Sequence, residues 1–436
     1  MTVLIRQKVD FSFPAEELEQ IKRRMLRWAD RRNILLFLDS NGYVHTHGTY
    51  ECICAVGVYA SVRADDGMLN ALNREYALHQ DWFFGHIAYD FKNRLEHLQS
   101  GHSDALQFPE LYFFRPEIVC SIKRGAHTLC IETLGISPQE VWSEIQAADT
   151  TAQAVFEHVP HFQRRFEHEE YLRTIAHLKE HIRNGDCYEI NFCNERYCTD
   201  AVIHPVAAFE ELSRLSPAPF AAYYKLEDKA LMCASPERYL RKEGNRILAQ
   251  PIKGTARRDT DPVKDEEQKT RLRASLKEQA ENVMIVDLMR NDLARFCETG
   301  SVQVDELFGV YSFPQVHQMI STVSGTLRDQ LSLFEALRYS FPVGSMTGAP
   351  KIMVMKLIEQ YEQARRGLFS GSVGYISPEG DFDFNVVIRS IMYNAATGYL
   401  SFQAGSGITF YSDPEKEWEE CLLKAAAIKN VLGNRT

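Results

Sequence analysis

Short apolar runs closed by turn residues recur along the first 165 residues, and this punctuation constrains the fold more than any other feature. The run 34–38 precedes Ser40-Asn41-Gly42, the run 53–62 precedes Asp65-Asp66-Gly67, and the run 82–89 is dense in aromatic residues. Alternation with a period of two, enriched in β-branched and aromatic side chains, predicts strands, because such side chains pack well on a pleated surface. Helices are expected at 15–28, 68–80 and 138–147. At 162–170 the sequence turns charged and helical, which predicts a seam between an amino-terminal region, 1–165, and a second region, 166–436.

The second region opens with an amphipathic helix near 168–184, carrying Tyr171, Leu172, Ile175, Leu178 and Ile182 at helical spacing before Gly185. Strands are predicted near 187–198, 220–226, 230–234, 238–242 and 246–250. One long charged helix, 262–290, leads to a strand at 302–308, and helices follow near 332–340 and 350–361. Three strands at 370–377, 383–393 and 399–403 precede a last helix at 414–432, with Asp413 as its cap and Pro414 in its first position.

Composition removes several classes. With 45% hydrophobic and 25% charged residues in 436, the chain is globular and long enough for two or three units. Forty-nine basic against 59 acidic residues leave a net charge of −10, which disfavours nucleic acid as a partner but leaves room for a local pocket for a small anion. Ten cysteines are too few for a disulfide scaffold, and spacings such as Cys52-x-Cys54 match no zinc pair, so reduced thiols in the cytoplasm are expected. The start, MTVLIRQKVDFSF, lacks the pattern of a secretory signal, and no apolar stretch approaches the ~18 residues of a membrane span.

Several residues have the chemistry of a site. Glu417, Glu420 and Lys424 share one helical face, and Glu281 sits within the helical run AENVMIVDLMRND; such carboxylates suit Mg²⁺, or else form a solvated helix face. The loop FPVGSMTGAPK, with Pro350 expected in the first position of a helix, and the Gly-rich turn AGSGI each either bind an anion through free backbone N–H groups or simply connect two elements. Lys253, in PIKGT, is a nucleophile or a solvated turn lysine. Making it neutral at pH 7 against an ordinary pKa of about 10.4 takes ~4–5 kcal/mol, which only a special environment supplies. Glu237, in ASPERYL, is a general acid or a salt-bridged carboxylate. His317, in FPQVHQMIS, is a site residue or a core histidine.

Taken in order, GDCYEINF, ASPERYL, PIKGT, AENVMIVDLMRND, FPQVHQMIS, SMTGAPK, GSVGYIS, VVIRS, QAGSGI and SDPEKEWEECLLKA resemble the chorismate-utilising enzymes, which include anthranilate, aminodeoxychorismate, isochorismate and salicylate synthases. Weaker similarity lies at LFLDS and FGHIAYD. The resemblance implies an α+β fold, anthranilate synthase component I-like, in which two packed antiparallel β-sheets are flanked by helices and the active site lies in the cleft between them. It also implies that the two regions intertwine as one unit. Carried over position by position, it places Mg²⁺ on Glu281 and Glu420 with Glu417 close by, clamping one carboxylate of chorismate. The other carboxylate would meet Arg389, Tyr375 and the backbone N–H groups of Gly405 and Gly407, with Lys424 adding positive charge. Thr347 and Gly348 would line the pocket, and His317 would lie near the reacting ring.

Reaction type turns on few positions. The isochorismate and salicylate enzymes carry a water-activating lysine where this chain has Glu189, and the amino-transferring members commonly have Gln there. Anthranilate synthases usually have Ala in place of Lys253, whereas PIKGT resembles the aminodeoxychorismate branch. That resemblance implies attack of Lys253 at C2 while Glu237 protonates the departing C4 hydroxyl, followed by addition of ammonia at C4. The product would be 4-amino-4-deoxychorismate, the precursor of p-aminobenzoate and folate. Ser406 is a second departure from the pattern, and LFLDS is not the LLES string linked to tryptophan feedback. No glutaminase nucleophile elbow is present, so ammonia is expected from solution or from a separate glutamine amidotransferase subunit. Anthranilate synthase component I and a non-catalytic chorismate-binding subunit are the alternatives.

Overall fold

The computed structural model describes residues 5–43, 47–63, 68–156, 158–313 and 316–433; the turn expected at 65–67 and positions 314–315 of the FPQVHQMIS motif lie outside them. Every paired strand among these residues is antiparallel, and the strands form two sheets. The first runs from Gln7–Ser12 through Thr128–Thr133, Ile118–Lys123, Tyr50–Val56 and Ile34–Asp39 to Phe220–Leu226, then Lys229–Ser235, Ser390–Asn394, Tyr399–Ile408, Glu189–Cys198 and the short Gly348–Ala349. The second runs from Ile252–Arg257 through Val316–Thr326, Arg246–Gln250 and Arg238–Glu243 to Phe382–Asn385, Ser372–Ile376, Phe83–Ile87, Leu111–Arg115 and Ala60–Arg63. Strands from before and after residue 165 thus share both sheets. The join in the first sheet is the pairing of Ile34–Asp39 with Phe220–Leu226.

Strand alternation explains the core. Leu36, Tyr224 and Leu231 point into the layer between the sheets, where they meet Phe84, Phe113 and Phe384 of the second sheet. Their neighbours Leu35, Phe37, Tyr223 and Met232 point the other way, beneath helices that contribute Met25, Trp28, Val141, Phe209 and Ile428. A strand covered on both faces needs apolar residues at every position, so ILLFLD reads as a continuous run rather than an alternating one.

Several expected elements differ in extent for physical reasons. The run 53–62 is two strands, Tyr50–Val56 in the first sheet and Ala60–Arg63 in the second, with Gly57 at φ +75° where the chain leaves one for the other. The run 383–393 likewise divides into Phe382–Asn385 and Ser390–Asn394, and Arg389 sits at the crossing with φ +52°. The charged helix breaks into Pro262–Ala274 and Leu276–Ala294, because Ser275 is extended and its side chain accepts from Glu278 N as a cap. AGSGI is no turn: it lies inside the strand Tyr399–Ile408. The helix Lys351–Tyr361 starts one residue later than expected, with Pro350 at the cap.

All ten cysteines are free. No helix among the described residues is long and apolar enough to cross a membrane.

Leu231 is fully buried at the centre of the inter-sheet layer. Truncating it leaves a cavity that two sheets cannot close, so Leu231→Ala is expected to lower stability by about 2–5 kcal/mol, read as a lowered thermal midpoint.

Candidate active site

A cleft of about 960 Å³ opens beside the strand ends near Lys253 and the last helix, Pro414–Val431. It is lined by residues of both sheets, among them Glu237, Lys253, Arg389 and Gly407, and by Glu281, Glu420 and Lys424 from two helices. The break at Ser275 matters: it starts a new helix whose first two turns carry Lys277, Glu278 and Glu281 onto the cleft wall.

At the floor, Lys253 Nζ donates to Glu189 Oε1 in a pair with side-chain exposures of only 9% and 1%. Burial pulls the lysine toward neutrality, but the carboxylates of Glu189 and then Glu281 outweigh it, so its pKa is raised and it stands as an ammonium. Gly407 makes room for this pair. A Cβ there would lie 2.5 Å from Glu189 Oε1 and 2.9 Å from Lys253 Nζ. Gly348, at φ +140°, is equally constrained, since its Cβ would come within 2.0 Å of the Glu189 carbonyl oxygen.

Glu237, between two strands of different sheets, accepts a 2.6 Å hydrogen bond from Ser345 Oγ. Burial pushes its pKa up to about 7, against the opposing pulls of Ser345 and Lys253. Burial also lifts Glu281 to about 7, with the Lys253 ammonium opposing. Glu420 goes the other way: burial raises it, but Lys424, 2.7 Å away, holds it below the ordinary carboxylate value.

Gly405 and Gly407 belong to an open edge. The neighbouring Ser390–Asn394 strand ends at the Ile391–Phe402 pair, leaving the next residues of Tyr399–Ile408 with a partner on one side only. Lys424 Nζ reaches the Gly405 carbonyl from the open side at 2.9 Å, while Cys193, opposite Gly405, turns its own N–H to Glu362. In an antiparallel strand the N–H and C=O of one residue point the same way, so the N–H groups of Gly405 and, two residues on, Gly407 face the open edge.

Five expected residues do not line the cleft, and one of them is Glu417, buried at 1% exposure on the last helix. Tyr375 lines a separate cavity of about 60 Å³ with Tyr50, Arg238 and Asp383, and its ring packs on Tyr50 and Trp82. Thr347 is fully buried behind the wall, donating from Oγ1 to the carbonyls of Val343 and Gly344, and Gly348 is paired in a short strand with Ile190. His317 faces the opposite side of its strand, 2.9 Å from Ser312 Oγ and 3.0 Å from Asp265 Oδ1. Alternation gives the cleft its neighbours Val316 and Gln318 instead. Sequence reasoning missed Gln318, Phe369, Ser345 and Lys277, all of which line the cleft; for Gln318, the period-two pattern around His317 held the signal.

Among the described residues no three of His, Cys, Asp and Glu converge closely enough to form a ready metal cage. Two buried carboxylate oxygens, Glu281 Oε1 and Glu417 Oε2, nonetheless lack a hydrogen-bond partner. A cation that uses one or two carboxylates and keeps its waters fits such a pair.

A family model described as chorismate binding enzyme matches residues 54–430. The chain belongs to this family. It is 34% identical over 349 residues to the aminodeoxychorismate synthase component 1 of Escherichia coli (strain K12), covering 80% of this chain and 76% of that protein. To the anthranilate synthase component 1 of Thermus thermophilus it is 34% identical over 352 residues, covering 79% and 76%. A probable chloroplastic aminodeoxychorismate synthase of Oryza sativa subsp. japonica is 42% identical over 267 residues, 61% of this chain, but the match spans only 30% of the rice protein's length. Among solved structures, anthranilate synthase component I from Streptococcus pneumoniae TIGR4 superposes with a TM-score of 0.75 at 23% identity, covering 89% of this chain and 93% of that one. The menaquinone-specific isochorismate synthase of Escherichia coli gives 0.77 at 18% identity, covering 98% and 96%. The fold of the chorismate-binding family, α+β with two packed antiparallel sheets flanked by helices, is therefore the fold of this chain.

Removing one member of a buried ion pair strands the other. Lys253→Met is expected to cost ~3–5 kcal/mol by leaving Glu189 without its counter-charge, and Glu189→Gln combined with Lys253→Met to recover most of that loss, as read by thermal denaturation.

Proposed function

We propose that the chain aminates chorismate at C4, the component I activity of aminodeoxychorismate synthase, in the cytoplasm and with ammonia drawn from a separate glutamine amidotransferase subunit. The observation that carries this reading is the placement of Lys253 and Glu237 in one cleft, a buried amine and a carboxyl group whose pKa of about 7 lets it act as an acid near neutral pH. The name component 1, borne by the Escherichia coli relative, fits a second component that supplies the nitrogen. The free thiols fit a reducing compartment.

The ammonium state of Lys253 sets the first step. Its proton passes to Glu189, which already accepts it in a hydrogen bond, and exclusion of water by the substrate favours the neutral pair over the charged one. The freed Nζ lone pair attacks C2 while Glu237 gives its proton to the leaving C4 hydroxyl, which departs as water. With C2 occupied, ammonia adds at C4, the C2–N bond breaks, and Glu237 recovers a proton from the new amine as Glu189 returns one to Lys253. Arg389, Lys424 and the open-edge N–H groups of Gly405 and Gly407 would receive one substrate carboxylate. Glu281 and Glu420, with Glu417 beside them, would hold Mg²⁺, which supplies positive charge to the other. In this reading Tyr375, Thr347, Gly348 and His317 support the walls and do not touch the ring.

The anthranilate synthase of Thermus thermophilus is as similar to the chain as the aminodeoxychorismate enzyme, so the product decides. With chorismate, Mg²⁺ and an ammonium salt, the purified chain is expected to yield p-aminobenzoate once aminodeoxychorismate lyase is added. Fluorescent anthranilate formed without the lyase would sink the assignment.

A pH profile tests Glu237. Its acid form is the active one, so kcat is expected to fall as pH rises through about 7. The Ser345 hydroxyl stabilises the carboxylate form; removing it raises the pKa further, so in Ser345→Ala the alkaline limb should move to higher pH. A limb that stays in place would take the acid role from Glu237.

A further inference from the structure

Two carboxylates from different helices approach the same lysine: Glu281 of Leu276–Ala294, which lines the cleft, and Glu417 of Pro414–Val431, which is buried beside it. Two largely buried like charges that share one neighbourhood need a proton or a cation to offset them. In this structure the cation is Lys277, whose Nζ lies 3.7 Å from Glu281 Oε1 and 3.8 Å from Glu417 Oε1.

Lys277 is held differently from the other lysines of the cleft. Lys253 is buried and donates to Glu189, and Lys424 donates to the Gly405 carbonyl at 2.9 Å. Both Lys277 contacts exceed hydrogen-bond length, so charge alone seats its ammonium between the helices. Its side chain is 47% exposed and stands in the first turn of its helix, so a change of rotamer carries Nζ into water and leaves no donor unsatisfied. The carboxylates cannot leave with it. Glu417 is 1% exposed, and its Oε2, like Oε1 of Glu281, has no hydrogen-bond partner.

We propose that Lys277 is an internal counter-cation, seated between Glu281 and Glu417 while the enzyme is metal-free and expelled when Mg²⁺ binds. This rests on the reading of Glu281, Glu417 and Glu420 as the metal site. Loading is then an exchange of cations. A tethered monovalent ammonium, which fills no coordination position, gives way to a divalent ion that draws on the oxygens left unpartnered.

The exchange makes Lys277 a competitor of the metal, and its removal should tighten binding. In calorimetric titration with Mg²⁺ alone, without chorismate, Lys277→Gln is expected to bind about three- to fivefold more tightly than the parent, the strength of one half-exposed ion pair. Independently, the acetylation rate of Lys277 in the parent enzyme, followed by peptide mass spectrometry, should rise on adding Mg²⁺. Equal or weaker Mg²⁺ affinity in Lys277→Gln, or a Lys277 reactivity indifferent to Mg²⁺, overturns the proposal. If uptake by the parent is lost in Glu420→Gln but unaltered in Lys277→Gln, the metal site stands and the role of Lys277 alone fails. If the parent takes up no Mg²⁺, both fail.

Discussion

The buried pairing of Lys253 with Glu189 is the interaction around which the site is arranged. Lys253 lies on an edge strand of the second sheet and Glu189 opens a strand near the far edge of the first, so the pair stitches the sheets together where they diverge into a cleft. Neither charge can be buried there alone. The backbone around them yields accordingly: position 407 carries no side chain where the two head groups meet, and position 348 carries none where its loop passes over the Glu189 carbonyl. Of the glycines that the sequence offers for anion binding, Gly407 thus also clears space for an ion pair, and Gly348 for a close backbone approach.

An acidic protein that takes an acidic substrate has to separate its charges finely. Glu237 and Glu281 are drawn toward neutrality by burial, Glu420 is kept ionised by Lys424, and Lys253 is kept ionised by Glu189 and Glu281. Carboxylates and amines in the cleft therefore set one another's protonation through specific close partners. A net charge of −10 says nothing about this arrangement, since it lies in which pairs touch.

Much of the fold was legible because turn residues and period-two patterning mark strands wherever they occur. Two strand boundaries were not. In 53–62 and 383–393 the chain passes from one sheet to the other, and apolar residues on both sides of Gly57 and Arg389 read as one run although those residues mark the crossings. The site was legible in its ordered motifs, which led to Lys253, Glu237, Glu281, Arg389, Glu420 and Lys424, all of them lining one cleft. Side-chain direction was not. His317 and Gln318 are adjacent, and only the register of Val316–Thr326 decides which of the two faces the cleft.

The join between Ile34–Asp39 and Phe220–Leu226 carries a consequence for synthesis. One flank of Ile34–Asp39 finds its partner, Tyr50–Val56, almost at once, but the other waits for a strand more than 180 residues further on. At the pace of a ribosome, ~5–20 residues per second, that edge stays open for roughly 10–40 s. It is apolar on both faces and has a row of unpaired backbone groups, the features that recruit strands from neighbouring chains. The nascent chain thus carries an exposed, strand-pairing edge through that whole interval, and it closes only when Phe220–Leu226 has been made.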